Sequence, residues 1–251
     1  DIWKTDRESR VSWSSPTIIP LEGKPQLVIS SSGSVDGYDP ATGKLLWTLG
    51  EIGGNTITTP LAFDNGKFLI GASPVDRGQF ATIAPQSNLA ARIVANNGRL
   101  EIEKLWTAEK ALASFASPMV HQGLAYWVNQ VGVVFCFDAQ TGERKYNGRL
   151  EQSCWATPVG IGDRIYFFGK DGTTTVLAAG PEYKKLAVNQ LWRPEDIKIE
   201  SKERGAEMFG GRIQYGVAIA DGHLVVRTGD ILYCIREQSA PQSESAVGHA
   251  P

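Results

Sequence analysis

The side chains best suited to metal or redox chemistry are three cysteines and three histidines, and their spacing supports neither kind of site. The cysteines do not fall at the short intervals of a metal-binding knuckle or a redox pair. Cys136 and Cys234 stand in apolar, strand-like runs, where we expect buried free thiols. A three-histidine zinc site would need a convergence that nothing in the sequence predicts. These six residues are Cys136, Cys154, Cys234, His121, His223 and His249.

The acidic residues have a structural interpretation. They fall mostly in turns or in the charged insertion Glu195–Glu207. At a turn, an aspartate accepts hydrogen bonds from backbone N–H groups two or three residues on. No serine stands in a nucleophile elbow, and no glycine-rich phosphate loop leads from a strand into a helix. The sequence therefore predicts no catalytic residue and no resident metal. The turn acids are Asp39, Asp64, Asp138, Asp163, Asp171 and Asp221.

Composition is typical of a water-exposed globular fold with many turns. Of the 251 residues, 42% are apolar and 21% charged, and 27 glycines and 13 prolines predict many short strands. The net charge of −2 makes nucleic acid an unexpected partner. No apolar run reaches the roughly 18 residues of a membrane span. The opening residues Asp1 to Lys4 lack the apolar core of a signal peptide, so we expect a mature end or a truncated start.

A repeat organises the chain. Each unit opens with a small hydroxyl residue and proline, runs through three strands to a polar turn, often Asp-x-x-Thr-Gly, and closes on a strand that carries an aromatic residue. Proline costs little at the start of a strand, and glycine supplies the positive φ that reverses the chain. The openers are Ser15-Pro16, Thr59-Pro60, Ser117-Pro118 and Thr157-Pro158, with a degenerate fifth unit at Tyr215–Ala220. The closing aromatics are Trp47, Trp106, Tyr146 and Trp192.

Five openers and four closers leave one blade without an outer strand. Trp3 has no opener before it, so one interpretation is that Ile2–Thr5 supplies the outer strand of the last blade. The other is that Trp3 ends a blade whose opening strands are missing. Both predict an all-β β-propeller of four-stranded antiparallel blades with almost no helix. We expect the propeller over residues 1–237 and a disordered, polar tail over 238–251.

Two runs carry a family resemblance. Gly33 to Trp47 and Phe135 to Glu143 resemble the repeat of propellers of the pyrroloquinoline-quinone (PQQ) type. The resemblance covers the chain from Trp3 to about Arg236. It implies a ring of seven or eight blades, so five blades raise the alternative that the chain is part of a larger ring. The family includes quinoprotein alcohol dehydrogenases and non-enzymatic members such as the lipoprotein of the outer-membrane protein assembly machine.

The resemblance leaves three functions to compare. The non-enzymatic branch implies an exported, periplasmic bacterial protein that binds another protein or a small ligand through the loops of one face, without a cofactor. A quinoprotein oxidoreductase would use PQQ and calcium, but these enzymes carry two adjacent cysteines and a calcium site of clustered carboxylates, and neither is evident here. The third function is a carbohydrate-binding propeller, in which aromatic rings such as that of Trp155 stack on sugars.

Two sets of binding residues are predicted for the first function. The residue three positions before each opening proline would crowd one mouth of the central channel, either as a binding site or as filler between blades. This collar consists of Trp13, Ile57, Phe115 and Trp155, with Gln214 as the fifth member. The second set lies in two insertions, Pro74–Arg92 and Arg193–Glu207, whose length is typical of functional loops. Its candidates are Arg77, Gln79, Gln86, Asn88, Arg193, Arg204 and, just beyond, Arg212.

Overall fold

A computed structural model describes residues 1–74, 80–193, 195, 216–229 and 231–236. Within these described residues, nineteen strands form five antiparallel sheets in chain order, and a short 3₁₀ helix, η1, lies in the second sheet's unit, which confirms the all-β prediction. Blade one contains β1 (Thr17–Ile19), β2 (Gln26–Ser31), β3 (Gly33–Tyr38) and β4 (Leu45–Ile52). Blade two contains β5 (Leu61–Asp64), β6 (Lys67–Ile70), η1 (Ala81–Ser87), β7 (Leu89–Asn96) and β8 (Arg99–Thr107). Blade three contains β9 (Met119–His121), β10 (Leu124–Val128), β11 (Val133–Asp138) and β12 (Arg144–Arg149). Blade four contains β13 (Val159–Ile161), β14 (Arg164–Phe168), β15 (Thr173–Ala178) and β16 (Lys185–Gln190), and blade five contains β17 (Gly216–Ala220), β18 (His223–Arg227) and β19 (Leu232–Arg236).

Each blade is a simple meander in which sequence neighbours pair. The first strands of blades one to four lie next to one another in succession, so the blades radiate from a common axis with their shortest strand innermost. Strands alternate in the faces that they present, so one blade can bury side chains against both neighbours. This is the β-propeller arrangement that the repeat predicts.

Three apolar cores fill the wedges between successive blades. The first joins blades one and two through residues such as Val35, Trp47 and Phe68. The second joins blades two and three around Trp127, and the third joins blades three and four around Tyr126. Trp127 and Tyr126 are adjacent in β10 and face opposite ways, as the two-residue period of a strand requires. Stability therefore comes from burial between blades rather than within a single sheet.

The four closing aromatics each contact a ring of the following blade. Trp47 stacks on Phe68 and Trp106 on Phe137, with ring centroids 5.9 Å apart in both pairs. The same relation joins Tyr146 to Tyr183 at 5.8 Å and Trp192 to Tyr233 at 6.0 Å. Trp192 differs from prediction in one respect, because it follows the outer strand β16 instead of lying within it.

The predicted aspartate turns are confirmed in blades one and three. The Asp138 carboxylate accepts the backbone N–H groups of Gln140 at 3.0 Å and Thr141 at 2.9 Å. The bond from the Thr141 N–H is the main reason that the pKa of Asp138 lies below its ordinary value. Gly142 ends the turn at φ +72°, a conformation that favours glycine.

The prediction that Ile2–Thr5 forms an outer strand of the last blade is wrong. The segment is not a strand, and Trp3 rests on the turn of blade one. Its indole N–H donates to the carbonyl of Pro40 at 2.9 Å, and its ring covers Gly43. An indole packs through its flat ring and donates one hydrogen bond. This turn provides a glycine, which has no side chain, next to a carbonyl that accepts the bond, so Trp3 packs here without belonging to a strand.

Trp106 docks on the turn of blade three in the same way. Its indole N–H donates to the carbonyl of Ala139 at 3.2 Å, and its ring covers Gly142. Trp3 therefore takes the position that a preceding blade's closing tryptophan would take on blade one.

The chain after Trp3 forms a strap across blade one. Arg7 donates to the Tyr38 hydroxyl at 2.8 Å and to the carboxylate of buried Asp36 at 3.2 Å. The hydroxyls of Ser34 and Thr48 also donate to Asp36. The carboxylate is thus buried with hydrogen-bond partners on both sides, which is the condition for placing a charge there.

Blade five has three strands in the part of the chain that the structure describes. The predicted tail at 238–251 lies outside the described residues, so the domain boundary at 237 stays a prediction.

Candidate binding face

The described members of the collar and the starts of the two insertions lie at the same end of the propeller. In each meander, the chain enters the first strand at the same end at which it turns from the second strand to the third and leaves the fourth. We call this end the upper face, and the end with the Asp-x-x-Thr-Gly turns the lower face. The collar residues precede first strands. The insertions follow β6 and β16, so both begin at the upper face.

The structure brings two collar residues into direct contact. The rings of Phe115 and Trp155 lie 4.3 Å apart with a tilt of 32°. Trp13 and Ile57 are related through the backbone, because the Trp13 N–H donates to the carbonyl of Thr56 at 2.7 Å. Gln214 lies outside the described residues. The filler interpretation fits Phe115 and Trp155, which are half-buried, but not Trp13, whose side chain is 74% exposed.

The hydroxyl before each opening proline has a role that the sequence analysis missed. The N–H of Ser15 donates to the hydroxyl of Thr59 at 3.1 Å, and the N–H of Thr59 donates to that of Ser117 at 3.0 Å. The N–H of Ser117 then donates to the hydroxyl of Thr157 at 3.1 Å. We call this series the hydroxyl chain. A Ser or Thr before every opening proline was the visible signal for it.

Two buried amides hold the upper face of blades one and two in place. Asn55 donates to the hydroxyl of Ser30 and to the carbonyls of Ser31 and Ser34 at 2.8 to 2.9 Å. Asn88 accepts the N–H groups of Ala72 and Ala113 and donates to two further carbonyls. These bonds tie loops of different blades together, so the face is built on a rigid support.

Asn88 was a predicted contact residue of the first insertion, and that prediction is wrong. Its side chain is fully buried and fully used within the protein. An asparagine near a long loop fits a structural anchor as well as a surface group, and only its burial distinguishes the two roles. Gln86, two residues earlier in η1, is exposed.

Of the remaining loop candidates, Arg193 is the one that lies within the described residues. Arg193 is exposed directly after Trp192, at the upper face. Arg77, Gln79, Arg204 and Arg212 lie outside the described residues.

Large apolar side chains are exposed on this face. Besides Trp13, Val131 in the β10–β11 turn is 50% exposed, and Phe80 beside Gly33 of the β2–β3 turn is 36% exposed. Exposed apolar groups on one face of a rigid scaffold are typical of protein-binding surfaces.

Lys170 is a further residue of the upper face that the sequence analysis did not identify. It lies in the turn between β14 and β15, with its ammonium 4.0 Å from the centroid of the Trp155 ring. Burial lowers the pKa of this ammonium below its ordinary value. No motif relates Lys170 to Trp155 in the sequence, so this cation–π pair is visible only in the folded structure.

The described residues contain no group of three or more His, Cys, Asp or Glu side chains that could hold a metal ion. Cys136 and Cys154 are buried, and burial raises the pKa of each thiol to about 12, so neither is a reactive thiolate at neutral pH. Cys234, in β19, is exposed, which corrects the prediction of a buried thiol. It lies in β19, the third of the three described strands of blade five. Among the described residues, no helix has the length and apolarity to cross a membrane.

We compared the chain with known protein structures, curated sequences and family models. BamB from Moraxella catarrhalis is 14% identical, with a TM-score of 0.49 over 92% of this chain and 73% of that one. The computationally designed Ika4 protein is 15% identical, with a TM-score of 0.50 over 72% of this chain and 98% of that one. Identities this low concern the fold alone. No curated protein sequence matches the chain. A family model described as the outer membrane protein assembly factor BamB matches residues 1–148, more than half of the sequence. The chain therefore belongs to the BamB family of PQQ-type propeller proteins.

Proposed function

We propose that the protein is a non-catalytic scaffold that binds another protein through its upper face. The observation that carries the proposal is the 74% exposure of Trp13, which precedes the inner strand β1. Burying a tryptophan of this size against a partner would contribute more binding free energy than almost any other single side chain.

The support for this face is geometric. Val131 adds exposed apolar area on the β10–β11 turn of blade three, and Phe80 adds it beside the β2–β3 turn of blade one. The hydroxyl chain and the two buried amides hold the underlying loops in position. A rigid support reduces the entropy lost on binding, so a modest patch can bind specifically.

The proposal includes the absence of a cofactor. The turn aspartates already accept backbone N–H groups, and the two buried cysteines lie in an apolar core. A scaffold needs neither PQQ nor calcium. Membership of the BamB family, named for outer membrane protein assembly, favours a periplasmic location and a partner in a bacterial envelope.

Carbohydrate binding is less well supported. The predicted sugar platform, Trp155, already has Phe115 at 4.3 Å and Lys170 at 4.0 Å from its ring. A sugar that stacks on an aromatic ring needs that area free.

The experiment is cross-linking in the native envelope with a photoreactive amino acid placed at Val131, and the products are identified by mass spectrometry. We expect one or a few protein partners, whose yield falls at least tenfold when Trp13→Ala is added. The matched control is Lys44→Ala, on the lower face, which should leave the yield unchanged. Equal yields in both variants would contradict the proposal, as would dye reduction by the purified protein with PQQ and Ca²⁺.

A further inference from the structure

A small patch on the upper face combines apolar rings with a cation. Phe115 and Trp155 form its floor, and the Lys170 ammonium lies over the Trp155 ring. Val131 is exposed and follows Gln130 in the β10–β11 turn, whose Gln130 carbonyl accepts a hydrogen bond from the hydroxyl of Ser153. The patch, which we call the aromatic–lysine patch, consists of Phe115, Trp155, Lys170 and Val131.

Hydrogen bonds fix the two turns that border the patch. The N–H of Lys170 donates to the carbonyl of Ser153 at 2.8 Å, and the Ser153 hydroxyl donates to the carbonyl of Gln130. The N–H of Gln130 donates in turn to the hydroxyl of Ser114 at 3.1 Å, next to Phe115. The positions of the lysine and of Val131 are therefore set before any partner arrives.

The Lys170 ammonium has no anionic partner in the described part of the chain. Other lysines of this protein do: Lys145 pairs with Glu143 at 2.7 Å, and Lys185 pairs with Glu151 at 3.0 Å. Lys170 is also partly removed from water, which lowers its pKa. Among the described residues, the contact of this partly desolvated cation is the Trp155 ring, and an ammonium over a ring can still donate hydrogen bonds to an incoming anion.

We propose that the aromatic–lysine patch binds an acidic side chain of the protein partner, one that stands next to apolar residues in the partner's sequence. The inference rests on the proposed function and specifies its partner. The carboxylate pairs with the Lys170 ammonium, while the neighbouring apolar residues cover Val131 and Phe115. The apolar surroundings strengthen such a charge-assisted bond relative to one in open water.

The experiment measures binding to two synthetic peptides that differ only in charge. One is acetyl-Leu-Asp-Leu-Phe-Asp-Leu-amide, and the other has asparagine at both aspartate positions. The full chain is reductively methylated with ¹³C, so that the dimethyl-lysine signal of Lys170, assigned through Lys170→Arg, reports contact at the patch. We expect the acidic peptide to shift this signal and to bind about tenfold more tightly than the neutral one, a difference of about 1.4 kcal/mol.

Three variants complete the test on unmethylated protein by calorimetry. Lys170→Gln should remove the preference for the acidic peptide, Lys170→Arg should keep most of it, and Lys44→Gln on the lower face should change nothing. Raising the salt concentration from 0.05 to 0.5 M should weaken only the acidic peptide's binding.

Three results would overturn the inference. Equal binding of both peptides would show an apolar site without acid recognition, and the proposed function would stand. A preference that survives Lys170→Gln would place acid recognition elsewhere. If neither peptide shifts the Lys170 signal, the patch is not an acid-binding site, whereas the cross-linking at Val131 still decides the proposed function separately.

Discussion

The backbone N–H of Thr59 donates to the side-chain oxygen of Ser117, 3.0 Å away and 58 residues later in the chain. The two residues hold the same place in successive blades, directly before the opening proline. Proline has no N–H of its own, so the residue before it carries the last donor ahead of the innermost strand. The bond gives that donor a partner in the next blade.

Replacing Ser117 by alanine should therefore destabilise the fold by about 1 kcal/mol, because the part-buried Thr59 N–H loses its acceptor. Ser117→Thr keeps the oxygen and should cost less, since threonine occupies the equivalent positions 59 and 157. Urea unfolding measures both, with the midpoint expected to fall at an unchanged slope. Equal midpoints for the two variants would show that the bond contributes nothing.

Alanine substitutions at two glycines distinguish the stability cost of backbone strain from the cost of displacing the Trp106 indole. Gly98 and Gly142 have φ values of +78° and +72°, but an added Cβ meets nothing within 4 Å at Gly98 and would lie 2.5 Å from Trp106 at Gly142. Gly98→Ala should cost about 1 kcal/mol through strain alone. Gly142→Ala should cost about 1 to 3 kcal/mol more, because the ring must move. Urea unfolding compares the two, and equal losses would mean that the indole contact contributes no stability.

The three cysteines should differ in reactivity. In the folded protein at pH 8, Ellman's reagent should modify Cys234 quickly and leave Cys136 and Cys154 unmodified until the chain unfolds, because those two are buried. Cys234→Ser should abolish the fast phase. A second fast thiol would contradict the burial of the core between blades three and four.

The raised thiol pKa values also predict how stability depends on pH. Between the ordinary value of 9.0 and about 12, the unfolded state loses the thiol protons while the folded state keeps them. Stability is thus fully present below pH 9 and should fall as the pH rises towards 12. Cys136→Ala should make the decline shallower in urea unfolding series at pH 8 to 11. An unchanged slope would mean that this thiol is not the titrating group.

The strap over blade one should depend on Trp3. Trp3→Ala removes the indole bond to Pro40 and the cover over Gly43, which should lower the local opening free energy by about 1 kcal/mol. Trypsin should then cleave after Arg7 or Arg10 about fivefold faster at unchanged global stability. Lys4→Ala, next to it, serves as the control. If cleavage rates in the two variants agree, the indole does not anchor the strap.

The sequence predicted the blades because each carries its own local signals. Asp138 and Gly142 determine a turn by their own chemistry, and Trp106 follows a strand whose period is readable. These features depend on neighbours within a few residues, so one sequence suffices. The same logic failed at Trp3, whose indole donates to Pro40, 37 residues later, and at Cys234, because a local apolar pattern does not distinguish a buried thiol from an exposed one.

The candidate site was only partly predictable for the same reason. The proline spacing located Trp13, Phe115 and Trp155, but it could not show that two of these rings touch and that the third is exposed. Lys170 reaches Trp155 from a different strand pair, at a sequence separation that no motif fixes. Burial and charge pairing are properties of the assembled blades, so they appear only in the folded structure.

The hydroxyl chain has a direction. In all three of its links, the donor belongs to the earlier blade and the acceptor to the next one made by the ribosome. Until its successor is made, each blade's donor N–H therefore has water as its hydrogen-bond partner. During synthesis the growing end of the propeller is always the incomplete end, and we expect chaperone contacts to follow it from blade to blade.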